Sequence, residues 1–193
     1  MDTVFYLHGF HSSDQSHKAI ITRDWCNKHY PKLRVEVPLL PNTPDHCLRF
    51  LDDYIPERCN PLGDKIAFIG SSMGGFLANY LAERYGCAAV LINPAVYPHR
   101  LLMDFLGPQV NPYTGVEFSL DETMVASLES LLVTRMQRPE RRMVLLQTND
   151  EVLDYREAES YYASSNLLIE QGGDHSFQRY ERHLPAIARF LEF

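Results

Sequence analysis

Short apolar runs alternate with longer, more polar stretches along the whole chain. Six runs of about five residues, rich in Val, Ile, Leu and Phe, predict β-strands. Most are almost continuously apolar, as expected of strands buried on both faces, whereas the second alternates through Arg34 and Glu36, as a strand near a sheet edge would. The predicted strands are Thr3–Leu7, Leu33–Val37, Lys65–Ile69, Ala88–Ile92, Met143–Gln147 and Asn166–Glu170.

The stretches between these runs predict helices. Ser16 or Asp14 can cap the first helix, Thr43 before Pro44 the second and Asp121 the fourth, and Gly86 ends the third. The predicted helices are Ser16–His29, Pro44–Cys59, Phe76–Tyr85, Asp121–Arg138, Asp154–Ala163 and Phe177–Leu191. Regular alternation of strand and helix predicts βαβ units, hence an α/β fold with a mostly parallel six-stranded sheet and helices on both faces.

One long segment, Pro94–Arg142, interrupts this alternation and contains several proline- and glycine-rich turns. Irregular loops of this length are uncommon inside a domain, so we expect part of the segment to be helical and to fold over one end of the sheet. Ligands of open parallel sheets bind at the carboxyl ends of the strands. We therefore predict a single domain over residues 1–193 with a lid-like insertion at 94–142; a structural insertion remote from the site is the alternative.

Composition narrows the class of protein. The net charge is −7 and the acidic residues are scattered, without a basic stripe, so we expect neither nucleic-acid binding nor attraction to anionic membranes. The longest apolar run, Cys87–Ile92, is too short to cross a bilayer, and the chain opens without a signal-peptide pattern, which favours the cytoplasm. The four cysteines form no Cys-x-x-Cys pair, so we expect no metal site and no cofactor.

A serine lies at a glycine-rich turn in Gly70-Ser71-Ser72-Met73-Gly74-Gly75, directly after the third predicted strand and before a predicted helix. A Gly-x-Ser-x-Gly pattern in this context strains the central serine and exposes its hydroxyl beside the helix N–H groups. The context selects Ser72 over Ser71 as a nucleophile. The turn lacks the Gly-Lys-Ser/Thr ending of phosphate-binding loops and the Gly-x-Gly-x-x-Gly of dinucleotide sites.

A serine nucleophile requires a base and an acid that orients the base. His175 follows the last predicted strand through two glycines, which permit a tight turn over the sheet edge. Asp150 follows the fifth predicted strand and is the preferred acid; Asp154 is the alternative, although it more plausibly caps the next helix. Glu151 should point away from the site, and Asp174 is too close to His175 in sequence to reach its ring easily.

An oxyanion hole is also needed, because the tetrahedral intermediate places negative charge on the substrate oxygen. His8-Gly9-Phe10 ends the first predicted strand, where this type of fold supplies one backbone N–H, so we expect the donors to be Phe10 and Met73. His8 itself is more consistent with a structural, hydrogen-bonded residue. Tyr97 and Tyr113, in the long insertion, are candidate walls of the substrate pocket.

With these residues in view, the chain resembles the YqiA-type esterases, a family of compact bacterial α/β-hydrolases. The Asn-Pro-Tyr-Thr-Gly stretch and the segment after the fifth strand are more specific than the serine motif. The matching landmarks are Tyr6–Phe10 with Ser12-Ser13, Gly70–Gly75, Asn93–Val96, Asn111–Gly115, Gln147–Arg156 and Gly172–His175.

The resemblance implies a minimal α/β-hydrolase fold that lacks the first two, antiparallel strands of the full version. It implies cleavage of short acyl esters, with an acyl-CoA thioesterase as the alternative. It places the nucleophile at Ser72, the acid at Asp150 and the base at His175. A basic patch of Arg100 with Arg135 or Arg138 would favour an acyl-CoA substrate. A non-catalytic interaction module that keeps the fold is the alternative from another class.

Overall fold

A computed structural model describes residues 1–193 and contains two β-sheets. The larger sheet has six strands in the order β2-β1-β3-β4-β7-β8, and every neighbouring pair is parallel. The strands are β1 Thr3–Leu7, β2 Arg34–Glu36, β3 Ile66–Ser71, β4 Ala88–Ile92, β5 Gly107–Val110, β6 Glu117–Leu120, β7 Arg142–Gln147 and β8 Asn166–Glu170. All six predicted strands are confirmed, and with them the predicted sheet.

The helices also follow the predicted order, with differences in extent. They are α1 His17–His29, α2 Pro44–Arg58, α3 Met73–Tyr85, α4 Pro98–Leu101, α5 Glu122–Ser127, α6 Tyr155–Tyr161 and α7 Leu184–Leu191. Four 3₁₀ turns accompany them: Leu102–Phe105, Leu128–Leu131, Pro139–Arg141 and Tyr180–His183. None of the helices combines the length and the apolar character that spanning a membrane requires.

Three predicted helix boundaries are wrong. Helix α3 begins at Met73, not at Phe76, because the chain turns into the helix immediately after the serine. The predicted helix Asp121–Arg138 ends early, where α5 passes into a 3₁₀ turn and the Val133 carbonyl accepts a hydrogen bond from Tyr161 instead of from its own helix. The last helix begins only at Leu184, where Pro185 favours the first turn.

The predicted caps are partly confirmed. Asp121 Oδ1 accepts a hydrogen bond from the Met124 N–H at 2.8 Å, and Gly86 ends α3 in the left-handed conformation, with a φ of 64°. Ser16 and Thr43 occupy the expected N-cap positions, but neither side chain accepts a hydrogen bond from a backbone N–H of its helix. The first turn of α1 therefore keeps its N–H groups free of a side-chain acceptor.

Alternate residues of the central strands pack against the helices on opposite faces of the sheet. Phe5 and Phe68 are fully buried in the larger core cluster, with residues of α2 and α3. Tyr6 and Ile69 are fully buried in the second cluster, which contains residues of α1 and α7. The two-faced burial explains the nearly continuous apolar sequence of these strands.

The long insertion contains an antiparallel hairpin that the sequence pattern did not predict. Strands β5 and β6 pair in register from Gly107 with Leu120 to Val110 with Glu117, and form the smaller sheet. Their alternation of apolar and polar residues is short and is interrupted by Pro108, so the strand signal is weak. That the segment closes over the site as a lid stays a prediction.

Candidate active site

Ser72 lies at the sharp turn between β3 and α3. Its φ of 56° and ψ of −122° place a non-glycine residue in a sparsely populated backbone region. The turn is close-packed, because a Cβ added at Gly70 would lie 2.0 Å from the Gly74 carbonyl oxygen, and one at Gly74 would lie 2.0 Å from the Leu7 carbonyl oxygen. The glycines of the motif are therefore required by backbone contact, and they hold the serine in its strained conformation.

The structure brings Ser72, His175 and Asp150 together, although they are widely separated in sequence. His175 Nε2 lies 3.0 Å from Ser72 Oγ, and His175 Nδ1 lies 2.9 and 2.8 Å from the two carboxylate oxygens of Asp150. The His175 side chain is 22% exposed and that of Asp150 only 2%. The carboxylate thus favours the tautomer with hydrogen on Nδ1, which leaves Nε2 free to accept the serine proton.

The loop after β7 explains why Asp150 reaches the histidine and Asp154 does not. Asp150 Oδ1 accepts hydrogen bonds from the N–H groups of Val152 and Leu153, at 2.9 and 2.8 Å, which fix its rotamer. Asp154 caps α6 and binds Arg156, whose hydrogen bond lowers the pKa of the Asp154 carboxyl. The preference for Asp150 over Asp154 therefore agrees with the geometry.

The expectation that Glu151 points away from the site is wrong. Glu151 Oε2 accepts a hydrogen bond from the His175 N–H at 3.0 Å, so its side chain helps to hold the histidine loop. Asp174, by contrast, does not contact the imidazole. Its Oδ2 accepts from Gln178 Nε2 at 2.8 Å, while its Oδ1 is buried without a hydrogen-bond partner.

Two buried amides that sequence reasoning missed hold the histidine loop against the sheet. Asn93 Nδ2 donates to the carbonyl oxygens of Asp174 and His175, at 3.0 and 3.2 Å. Gln147 Oε1 accepts from the N–H groups of Asp174 and Gln178, at 3.2 and 2.8 Å. Asn93 and Gln147 follow or end strands β4 and β7, so a polar residue at the carboxyl end of a buried strand was the available signal.

The turn after β1 lies against Ser72, where the sequence predicts an oxyanion hole. A Cβ added at Gly9 would lie 3.3 Å from Ser72 Cβ. The Phe10 N–H has no hydrogen-bond acceptor in the protein, and Met73, as the first residue of α3, has no acceptor within its helix. Two backbone N–H groups near Ser72, one from Phe10 and one from Met73, are therefore available as donors.

His8 is built into the wall of this turn. Its Nδ1 lies 2.9 Å from the Gly9 carbonyl oxygen, and its Nε2 accepts a hydrogen bond from the Leu40 N–H at 3.0 Å. These partners require the neutral ring with hydrogen on Nδ1, and burial lowers the pKa of His8. The geometry fits the structural role that the sequence suggested for His8.

Two cavities meet near the serine. A narrow, mostly apolar pocket of about 40 Å³ is lined by both candidate oxyanion residues, Phe10 and Met73, and by Leu77, Leu102 and Leu128. We call it the apolar pocket. A more open and polar cleft of about 230 Å³ contains Ser72 and His175. We call it the serine cleft.

The two tyrosines predicted as pocket walls lie in different places. Tyr113, at the tip of the β5–β6 hairpin, lines the serine cleft and is 64% exposed. Tyr97 does not line either cavity; its ring packs against Tyr161, with a centroid distance of 6.3 Å, and lies under the guanidinium of Arg100. Neither cavity is lined by Arg100, Arg135 or Arg138, so the basic patch considered for an acyl-CoA substrate is not at the serine.

The sequence model of UPF0227, described as an uncharacterised protein family, matches residues 3–192 of this chain. The chain belongs to the UPF0227 family. The match spans almost the whole sequence and confirms the resemblance of this chain to the YqiA-type family.

Solved structures similar to this UPF0227 chain are hydrolases and esterases by description. α/β-Hydrolase domain-containing protein 10 from mouse is 15% identical, with a TM-score of 0.68 over 98% of this chain and 89% of that one. Est1E from Butyrivibrio proteoclasticus, solved with bound ferulic acid, is 12% identical, with a TM-score of 0.64 over 100% and 87%. The Pyrococcus furiosus esterase Pf2001 is 17% identical, with a TM-score of 0.60 over 99% and 81%. At these identities the similarity establishes the fold, and the predicted α/β-hydrolase fold is confirmed.

Proposed function

We propose that this chain is a serine hydrolase that cleaves short-chain acyl esters. The observation that carries the proposal is the continuous hydrogen-bonded relay from Ser72 Oγ through His175 to the buried carboxylate of Asp150. A serine at a strained strand-to-helix turn, with a histidine at 3.0 Å, is poised for nucleophilic attack on an acyl carbon.

In the proposed mechanism, Ser72 Oγ attacks the ester carbonyl carbon while His175 Nε2 removes the hydroxyl proton. Asp150 orients the imidazole and stabilises the imidazolium that forms. His175 then donates the proton to the departing alcohol oxygen, which leaves an acyl group on Ser72. A water molecule, deprotonated by the same histidine, attacks the acyl carbon; the bond to Ser72 Oγ then breaks, His175 returns the proton to that oxygen, and the carboxylic acid is released.

The negative charge of each tetrahedral intermediate needs donors that are already in place. The N–H groups of Phe10 and Met73 have no partner that they would have to give up, so they can bind the oxyanion without a reorganisation cost. Loss of one such donor commonly costs about 10²–10³ in rate. These donors belong to the β1 turn and to the N-terminus of α3, both of which are fixed by backbone packing against Ser72.

The two cavities suggest how an ester is oriented. The oxyanion donors line the apolar pocket and His175 does not, which favours the acyl chain in this pocket. The serine cleft contains His175, which must reach the alcohol oxygen, so the leaving group belongs there. A pocket of about 40 Å³ is only a few times the roughly 10–15 Å³ that one water molecule needs, which favours short acyl chains.

Two other functions use the same fold. An acyl-CoA thioesterase would employ the same residues, but the arginines considered for binding the nucleotide do not line either cavity. A non-catalytic interaction module would not need the strained serine or its hydrogen-bonded partners. We therefore prefer the esterase, acting on a small-molecule substrate without a metal or cofactor.

A fluorophosphonate probe together with an acyl chain-length series tests this proposal. Wild-type protein should be labelled on Ser72 and should turn over short p-nitrophenyl esters faster than long ones. Ser72→Ala should abolish labelling and lower kcat by about 10⁶. Ser160→Ala, at an exposed serine of α6, is the matched control and should behave as wild type. Hydrolysis by Ser72→Ala within a few-fold of wild type would overturn the proposal.

A further inference from the structure

The serine cleft has a polar wall that the proposed chemistry does not use. It is formed by the start of helix α1 and contains Ser16, His17 and Lys18. The inference that follows rests on the proposed function, because it concerns the part of the ester that leaves. The apolar pocket is assigned to the acyl group, so this wall faces the alcohol.

The start of α1 is left without an acceptor for its N–H groups. Ser16 occupies the N-cap position, but its side chain accepts no hydrogen bond from the helix, and the first turn contains no acidic residue. A helix N-terminus carries a partial positive charge and free donors. In this chain, these donors lie at the edge of the cleft that contains the nucleophile.

Lys18 adds a positive charge at the same place. Its Nζ donates to the Ser176 carbonyl oxygen at 2.7 Å and forms no ion pair with any carboxylate. Burial lowers the pKa of Lys18 to about 8, against a smaller, opposing effect of Asp174 and Asp150. An ammonium group with only one of its three protons bonded has capacity for an anionic ligand.

A buried hydroxyl in the same cleft also lacks a partner. Tyr6 lines the cleft and is fully buried, yet its Oη makes no hydrogen bond. Buried polar groups are nearly always satisfied, and an exception calls for an absent partner. This hydroxyl is independent of α1, since Tyr6 belongs to strand β1.

The lining of the cleft carries no carboxylate of its own, and the two carboxylates that act on Lys18, Asp150 and Asp174, lie outside that lining. No Asp or Glu side chain lines the serine cleft, although the chain has 25 acidic residues and a net charge of −7. An anion that enters the cleft would therefore meet an ammonium group, free N–H groups and hydroxyls without a carboxylate among them. A neutral apolar alcohol would leave these donors unsatisfied.

We propose that the start of α1, with Lys18 and Tyr6, is a leaving-group subsite that binds an anionic substituent, a carboxylate or a phosphate, on the alcohol of the ester. The substrate would then be a small acyl group on a hydroxylated acid or phosphate. The subsite holds the alcohol beside His175, which protonates its oxygen.

The test compares three acetate esters of one phenol scaffold at pH 7: 4-acetoxybenzoate, 4-acetoxyphenyl phosphate and the neutral methyl 4-acetoxybenzoate. Lys18→Met should lower kcat/KM for at least one anionic ester by about tenfold, as expected for loss of a charged hydrogen bond. It should change kcat/KM for the neutral ester by less than threefold. The ester that loses more identifies the anion as carboxylate or phosphate.

Lys18→Arg should retain most of the preference, and Lys28→Met, at an exposed lysine of the same helix, should leave all three rates unchanged. The anionic preference of the wild type should also weaken in high salt. If Lys18→Met lowers all three rates equally, Lys18 serves only to hold Ser176 and the subsite is refuted. If wild type hydrolyses none of the esters and resists a fluorophosphonate, the proposed function fails instead.

Discussion

Replacement of Asn111 by Asp should impair the proposed catalysis, although residue 111 makes no hydrogen bond to Ser72. Asn111 begins the turn of the β5–β6 hairpin and is 2% exposed. Its Nδ2 donates to the Ser12 carbonyl oxygen at 3.0 Å and to Asn42 Oδ1 at 2.7 Å. It therefore joins the hairpin to the turn that carries the Phe10 N–H.

The substitution separates two functions of the side chain. Asn111 Oδ1 accepts from the N–H groups of Tyr113 and Thr114, at 2.9 and 3.3 Å, and a carboxylate preserves both bonds. It cannot donate, so both Nδ2 bonds are lost and a carboxylate oxygen faces two acceptors. The hairpin turn should survive while its link to the oxyanion turn is broken.

The magnitudes follow from these contacts. Two neutral hydrogen bonds at about 1 kcal/mol each predict a loss of at least about 2 kcal/mol in the free energy of unfolding. In a chain of this size each kcal/mol lowers Tm by about 2–4 °C, so Tm should fall by about 4–8 °C. Displacement of the Phe10 N–H by about 1 Å should lower kcat by about 10², with a smaller effect on KM.

The assay measures kcat and KM on a p-nitrophenyl ester well below Tm, together with thermal unfolding. Thr114→Ala is the matched control, since it removes a hydrogen bond of the same hairpin, from the Val116 N–H to Thr114 Oγ1 at 3.4 Å, without touching the link to Ser12. A folded Asn111→Asp protein with wild-type kcat would refute the reasoning.

Three further predictions concern the site. Asp150→Asn should lower kcat by about 10⁴ because the imidazole loses its orienting acceptor. Asp154→Asn should leave kcat within about twofold of wild type, so steady-state kinetics of the two variants shows which carboxylate orients His175. Gly74→Ala should prevent most of the protein from folding, since the new Cβ would lie 2.0 Å from the Leu7 carbonyl oxygen; a thermal unfolding experiment should then show little or no cooperative transition. The preference for an anionic ester should decline as pH rises through about 8, because Lys18 becomes neutral there in the free enzyme; a preference constant to pH 10 would count against Lys18.

The main sheet could be predicted because its strands are buried on both faces. Ala88–Ile92, for example, is apolar throughout, and the structure places it between two other strands. The nucleophile turn was predictable for a related reason, since its glycines are demanded by local backbone contacts. His175 and Asp150 could be placed because each follows a strand, and parallel strands end at one edge.

The hydrophobic pattern of the sequence could not predict contacts between segments that are distant along the chain. Asn93 contacts the histidine loop 81 and 82 residues away, and no local periodicity marks it. The direction of Glu151 was mispredicted because the backbone changes direction at each residue of a turn, so neighbouring side chains such as Asp150 and Glu151 need not point to opposite sides. The β5–β6 hairpin was missed because its strands are short and half exposed, so burial imposes little pattern on them.

The central claim is that Ser72 forms an acyl-enzyme, and trapping that species tests it most directly. Rapid acid quench of wild-type protein during turnover of p-nitrophenyl acetate, followed by peptide mass spectrometry, should place one acetyl group on Ser72, with a p-nitrophenol burst stoichiometric with enzyme. Asp150→Asn should slow the burst, and Ser72→Ala should show neither burst nor acetylation. Two results would contradict the account. One is hydrolysis by the wild type with the acetyl group on another residue, and the other is hydrolysis by the wild type with Ser72 unmodified and no burst.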